Sequence, residues 1–148
     1  MHIRNNCCVL VTDGRKSLFF RNEGDARFPN LKALRKWEDE NPADRDQKSD
    51  APGRSFASPG GGGRRSAFTE SDFHEVEESR FAARIADFLR EQALAGGFDE
   101  LIVVAPPRTL GELRKHYHRE VERRVTAEIA KDLVKHPVSE IERLISRD

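Results

Sequence analysis

The chain has 148 residues, a length that suits one domain, and its 26 Lys+Arg against 26 Asp+Glu leave no formal net charge. Charged residues reach 35% and hydrophobic residues only 36%, with a mean hydropathy of −0.73, against an apolar share of ~45–50% in ordinary globular chains. No apolar run approaches the ~18 residues of a membrane span, neutral charge argues against a generic polyanion binder, and Met1–Asn6 lacks the apolar stretch of a secretory signal, so a cytoplasmic chain that uses no membrane is expected.

Cys7-Cys8-Val9-Leu10-Val11-Thr12 is a continuous apolar run, the pattern of a central strand covered on both faces. Adjacent strand residues point oppositely, so the two cysteines read as small buried hydrophobes, not as a disulfide, redox or metal pair. Asp13-Gly14 predicts a two-residue hairpin turn with positive φ, and Lys16 to Arg21 the returning strand. A second turn lies in Asn22-Glu23-Gly24-Asp25. A third strand follows from about Leu31 to Glu38, whose charges suit a sheet edge.

From Glu40 to Ser66 the chain holds Pro42, Pro52, Pro59 and Gly60-Gly61-Gly62-Gly63, and Phe56 is its one large apolar residue. Such a segment cannot bury enough surface to offset its ordering entropy, so a mobile loop within one domain, at about 40–66, is expected. A long helix from about Ser71 to Ala95 follows, with Phe81, Ile85, Phe88, Leu89 and Gln92 on one face, Thr69 or Ser71 as cap, acids in its first turns and Gly96-Gly97 as its stop. Leu101–Val104 is a second buried strand, parallel to one of the first hairpin. Thr109 and Glu112 form a capping box for a helix running to about Tyr117. Val121, Val125 and Ile129 fit a helix, while Val125, Ala127 and Ile129 fit a strand; the strand, near Arg124–Ala130, is taken. Pro137 at the first helical position opens a last amphipathic helix carrying Val138, Ile141, Leu144 and Ile145. The order β-β-β-α-β-α-β-α predicts a single-domain α/β fold over residues 1–148, a mixed sheet of about five strands with helices packed on it.

Two places carry candidate chemistry. In Val103–Leu113 a buried strand turns directly into a helix, where free N–H groups with Arg108 and Thr109 suit a phosphate, nucleotide or RNA backbone; the alternative is a stiff Pro106-Pro107 corner with Arg108 paired to a carboxylate. Between Ala51 and Thr69 stand three arginines, Arg54, Arg64 and Arg65, and no acid. Together with Gly62 and Gly63 they can follow a phosphate chain, or form a solvated linker. No Gly-Lys-Ser/Thr follows the glycines, so this is not a P-loop. Arg114, Lys115, Arg119, Arg123 and Arg124, with His116 and His118, enrich one stretch in basic residues, but Glu112, Glu120 and Glu122 dilute it into a solvated face of close charge pairs. Asp13 has a turn role as well as a metal-ligand reading, His74-Glu75 lacks the second histidine of a zinc-protease helix, and no serine sits in a nucleophile elbow.

Thr12-Asp13-Gly14-Arg15-Lys16, Arg21–Asp25, Phe28–Leu31, Gly60–Arg64, Ala105–Arg114, Glu128, Lys131–Leu133 and His136-Pro137 together resemble the bacterial host attachment protein family over nearly the whole chain. That resemblance implies a role in attachment to host cells, exerted indirectly and non-enzymatically through binding, with no cofactor or metal. A more distant similarity is to the middle domain of archaeal and eukaryotic class I peptide-chain release factors. That domain carries a Gly-Gly-Gln loop before a long helix, then a strand and a Pro-Pro-Arg-like turn. Gly62-Gly63-Arg64-Arg65 stands at the corresponding loop, with arginine in place of the glutamine. The similarity implies an RNase H-like sheet and contact with ribosome, tRNA or other RNA through Arg54, Gly62, Gly63, Arg64 and Arg65, with Arg108, Thr109 and Arg114 as further phosphate contacts. A protein partner is the other class of ligand, and a metal-dependent nuclease using Asp13 and Asp72 is a third reading.

Overall fold

A computed structural model describes residues 1–39 and 70–148. Its five-stranded mixed sheet is built from β1 (Cys8–Thr12), β2 (Lys16–Asn22), β3 (Leu31–Glu38), β4 (Leu101–Ala105) and β5 (Val125–Ala130), in the order β3-β2-β1-β4-β5. β1–β2 and β2–β3 pair antiparallel, while β1–β4 and β4–β5 pair parallel. The helices are α1 (Glu70–Leu94), α2 (Pro107–His116), the short α3 (Arg119–Arg124) and α4 (Val138–Arg147). Among the described residues no helix is long and apolar enough to cross a membrane. The expected loop at 40–66 falls outside the described residues, as does the cap residue Thr69.

β1 and β4 are buried throughout because each is covered on both sides. Cys8, Leu10, Phe19, Leu101 and Val103 face α1, α2 and α3, where they meet Phe81, Ile85, Leu89, Leu110, Leu113 and Val121. Cys7, Val9, Val11, Phe20, Ile102 and Val104 face the other way, onto Ile3, Leu133, Ile141 and Ile145. The two cysteines therefore lie in different cores, both free. Phe88 meets Phe19 edge-on at 5.1 Å and Trp37 at 4.6 Å, which ties α1 to the β2–β3 side of the sheet.

Three local expectations are corrected. Gly14 does not have positive φ; among the described residues only Asn6 and Gly96 do. The β1–β2 turn is held instead by the Asp13 carboxylate, whose Oδ1 accepts from the N–H groups of Arg15 (2.8 Å) and Lys16 (2.7 Å). Thr109 is not a cap: α2 starts two residues earlier, at Pro107, with Pro106 as its N-cap and no side-chain cap bond. Two prolines in sequence stop the strand and preset φ for a helix start, which overrides the capping-box pattern. Pro137 is likewise the N-cap of α4, one place before its first helical residue. The strand taken near Arg124–Ala130 is present as β5, and the short α3, Arg119–Arg124, is an additional helix directly before it.

Candidate functional site

The sheet brings the carboxyl ends of the parallel strands β1 and β4 side by side, and there the β1–β2 turn, the N-terminal part of α1 and the start of α2 converge. The space enclosed by Thr12, Asp13, Glu78, Arg108, Thr109 and Glu112 is only about 10 Å³, roughly room for one water. It is a closed seam and not a nucleotide pocket. Gly14 packs closely on α1: a Cβ there would stand 2.8 Å from the Glu78 side chain, which would have to swing aside.

Arg108 lies on this seam, and its Nη2 donates to Glu75 Oε1 at 2.9 Å while Nε lies 3.8 Å from Glu78 Oε1. The guanidinium is exposed, so water screens the pair and a stronger anion can compete for it. A phosphate at Arg108 would have to displace Glu75 and would meet the N–H groups at the start of α2, of which Pro107 supplies none. Thr109 sits in the first turn of that helix. Arg114 points elsewhere: six residues on, about 120° around the helix, its Nε and Nη2 both reach Glu128 Oε1 on β5, at 2.9 and 2.6 Å. Arg108 and Arg114 are thus not brought together.

Beside Arg114 runs an open groove of about 550 Å³ lined by Tyr117, Val125, Thr126, Ala127 and Glu128. Burial, and then the Glu128 carboxylate, push the Tyr117 hydroxyl well above its ordinary pKa. Three more cations of the basic stretch are paired locally, Lys115 with Glu112 and Arg123 and Arg124 with Glu120. The Lys115 ammonium holds Glu112 below the usual carboxylate range, and the two arginines do the same for Glu120. Among the described residues no cluster of three or more His, Cys, Asp or Glu could hold a metal, and Asp13 is committed to its turn. Arg54, Gly62, Gly63, Arg64 and Arg65 lie outside the described residues. In the sequence Glu75 and Glu78 are simply acids suiting a helix start; their i, i+3 spacing is the signal that they share a face.

The model of a family described as bacterial archaeo-eukaryotic release factor family 12 matches residues 6–145. The chain belongs to that family. Among curated proteins, this family 12 chain is similar to the uncharacterized protein RP470 of Rickettsia prowazekii (strain Madrid E), 34% identical over 73 residues. That alignment takes in 48% of the chain and 49% of the relative, about half of each. Among solved structures, the crystal structure of the archaeal translation termination factor aRF1 matches with a TM-score of 0.50 at 11% identity, over 97% of this chain and 36% of that one. At that identity the likeness is one of fold. These matches carry the release-factor side of the resemblance read from the sequence; none of them carries the host-attachment name.

Proposed function

We propose that this family 12 chain is a release-factor-like module that binds ribosome or tRNA in the cytoplasm through its glycine–arginine segment, by contact and without Gly-Gly-Gln chemistry. The family match over residues 6–145 is the observation that carries this reading. The fold shared with aRF1 supports it. So does the position of Gly62-Gly63-Arg64-Arg65 in the sequence between β3 and α1, with Arg54 ahead of it and no acid between Ala51 and Thr69. Clustered arginines on glycine-rich backbone meet phosphates without demanding a sequence. Arg108, with Thr109 at the same helix start, is the second contact, released from Glu75 by a phosphate; Arg114 is a third, on the β5 side. The attachment role that the sequence motifs suggested draws no support from these matches and is no part of the proposal.

Sedimentation with ribosomes tests this. Co-migration is expected at about 50 mM salt, falling steeply toward about 200 mM as displaced counterions compete. A variant lacking residues 52–66 should lose it. An intact chain that stays at the top of the gradient at low salt would remove the reading.

A further inference from the structure

Most exposed arginines on the helical faces are matched to acids: Arg80 by Glu77, Arg90 by Asp87, Arg108 by Glu75, Arg114 by Glu128 and Arg123 by Glu120. The β2–β3 ribbon is different. Lys32, Arg35 and Lys36 on the edge strand, and Arg27 in the turn before it, have no carboxylate at ion-pair distance among the described residues. Glu38 is that strand's one acid, at its far end opposite Lys16. The register slips between Phe19 and Phe20, which leaves Leu34 without an opposite residue. Arg35 then lies on the α1 side, its guanidinium 4.8 Å from the Trp37 ring and 5.2 Å from that of Phe88, while Lys36 pairs with Leu18 on the opposite side. The cations thus flank the edge on both sides.

At the start of this ribbon Phe28 is 71% exposed, with the Arg27 guanidinium 5.6 Å from its ring. Its loop is built to hold it there. Asn22 Oδ1 accepts from Gly24 and Asn30 N–H at 2.9 and 2.8 Å, and Asp25 Oδ1 accepts from Arg27 and Phe28 N–H at 3.0 and 2.7 Å. Gly24 lets the chain close, since a Cβ there would stand 2.2 Å from the Phe28 carbonyl oxygen. The backbone that carries the ring is fixed in this way, which lowers the ordering cost of stacking on it.

We propose that this ribbon is a second RNA-contact surface, with Lys32, Arg35 and Lys36 meeting phosphates and Phe28 stacking on an unpaired base. The choice of RNA as the polyanion rests on the release-factor-like reading. Edge protection favours charge on β3, lysine above all, and so accounts for Lys32 and Lys36; it does not call for an exposed Phe28 ring at the start of the same strand, and cations along an edge together with a displayed ring are what a single strand uses. An acidic peptide would use the cations and have no need of the ring.

The test is fluorescence anisotropy of a labelled, mixed-sequence single-stranded RNA oligonucleotide over a range of salt. It compares the intact chain with Lys32→Glu/Arg35→Glu/Lys36→Glu, which keeps the edge charged, and with Phe28→Ala. Circular dichroism checks folding, and Lys32→Gln/Lys36→Gln, which spares the Arg35 stack, replaces the triple variant if that one unfolds. The triple variant is expected to bind more than tenfold more weakly, with the log–log salt slope reduced by about 2, at ~0.7 per phosphate contact. Phe28→Ala should weaken binding about five- to 150-fold without changing the slope. A folded charge variant that binds like the parent, an intact chain that ignores RNA at low salt, or polyglutamate bound as tightly as RNA with Phe28→Ala neutral would each overturn the inference. Failure of the loop reading looks different: RNA binding would depend on the ribbon, while ribosomes fail to carry the intact chain or carry the variant lacking 52–66 equally well.

Discussion

Asn22 is fully buried and uses both ends of its amide. Nδ2 donates to the carbonyl oxygens of Ile3 (2.7 Å) and Arg4 (3.2 Å), while Oδ1 serves the β2–β3 turn, so one side chain pins the N-terminal segment to the loop that carries Phe28. Asn22→Ala strands several of these groups at ~1–3 kcal/mol each; a loss of at least about 2 kcal/mol, read as a lower urea midpoint at unchanged slope, is expected. Ser17 is the converse case. Its buried Oγ has no hydrogen-bond partner, so Ser17→Ala should be neutral or stabilising by up to about 1 kcal/mol in the same measurement. The cysteines make a pH statement. Burial, reinforced by the Glu100 charge, pushes the Cys7 thiol from its ordinary 9.0 to about 12, and burial also raises Cys8. Both should resist a thiol reagent at pH 8 until the chain unfolds. Because the unfolded thiol ionises first, the Cys7 contribution to stability is whole below pH 9 and is lost as pH rises from there toward 12.

Two glycines separate backbone geometry from packing at the level of the element. Gly96 ends α1 at φ +76°, where an added Cβ would have nothing within 4 Å, and Gly97 N–H closes on the Gln92 carbonyl at 2.7 Å. Gly96→Ala should cost about 1–2 kcal/mol from the left-handed backbone alone. Gly111 lies inside α2 with equally open space and no positive φ, so Gly111→Ala should stabilise by about 0.5–1 kcal/mol. Thermal melts of the two variants should move in opposite directions. The stop at Gly96 was legible because it depends on neighbours in sequence. The start of α2 was misplaced at Thr109 because two local signals competed there, and the stretch after His118 was ambiguous because a six-residue helix runs straight into a strand with no break residue between them.

Among the described residues both cores draw on positions 3–37 and 81–145, and at the scale of the molecule the variant lacking 52–66 is expected to keep its helical and strand signal, read by circular dichroism, while losing ribosome co-migration. What the sequence by itself determined was the identity of the elements other than the short α3, the doubly covered runs of β1 and β4, the charged edge β3 and the acid-free, arginine-bearing stretch between Ala51 and Thr69. Periodicity, turn chemistry and composition act over a few residues, and those are written directly in the chain. Only the tertiary structure decided that Cys8 pairs with Leu101 in parallel, that Arg108 meets Glu75 while Arg114 turns to Glu128, and that the Asp13-Gly14 turn lies against the Glu78 side chain. Those contacts join residues remote in sequence, and their geometry follows from how two faces of one sheet are filled, which no local pattern specifies.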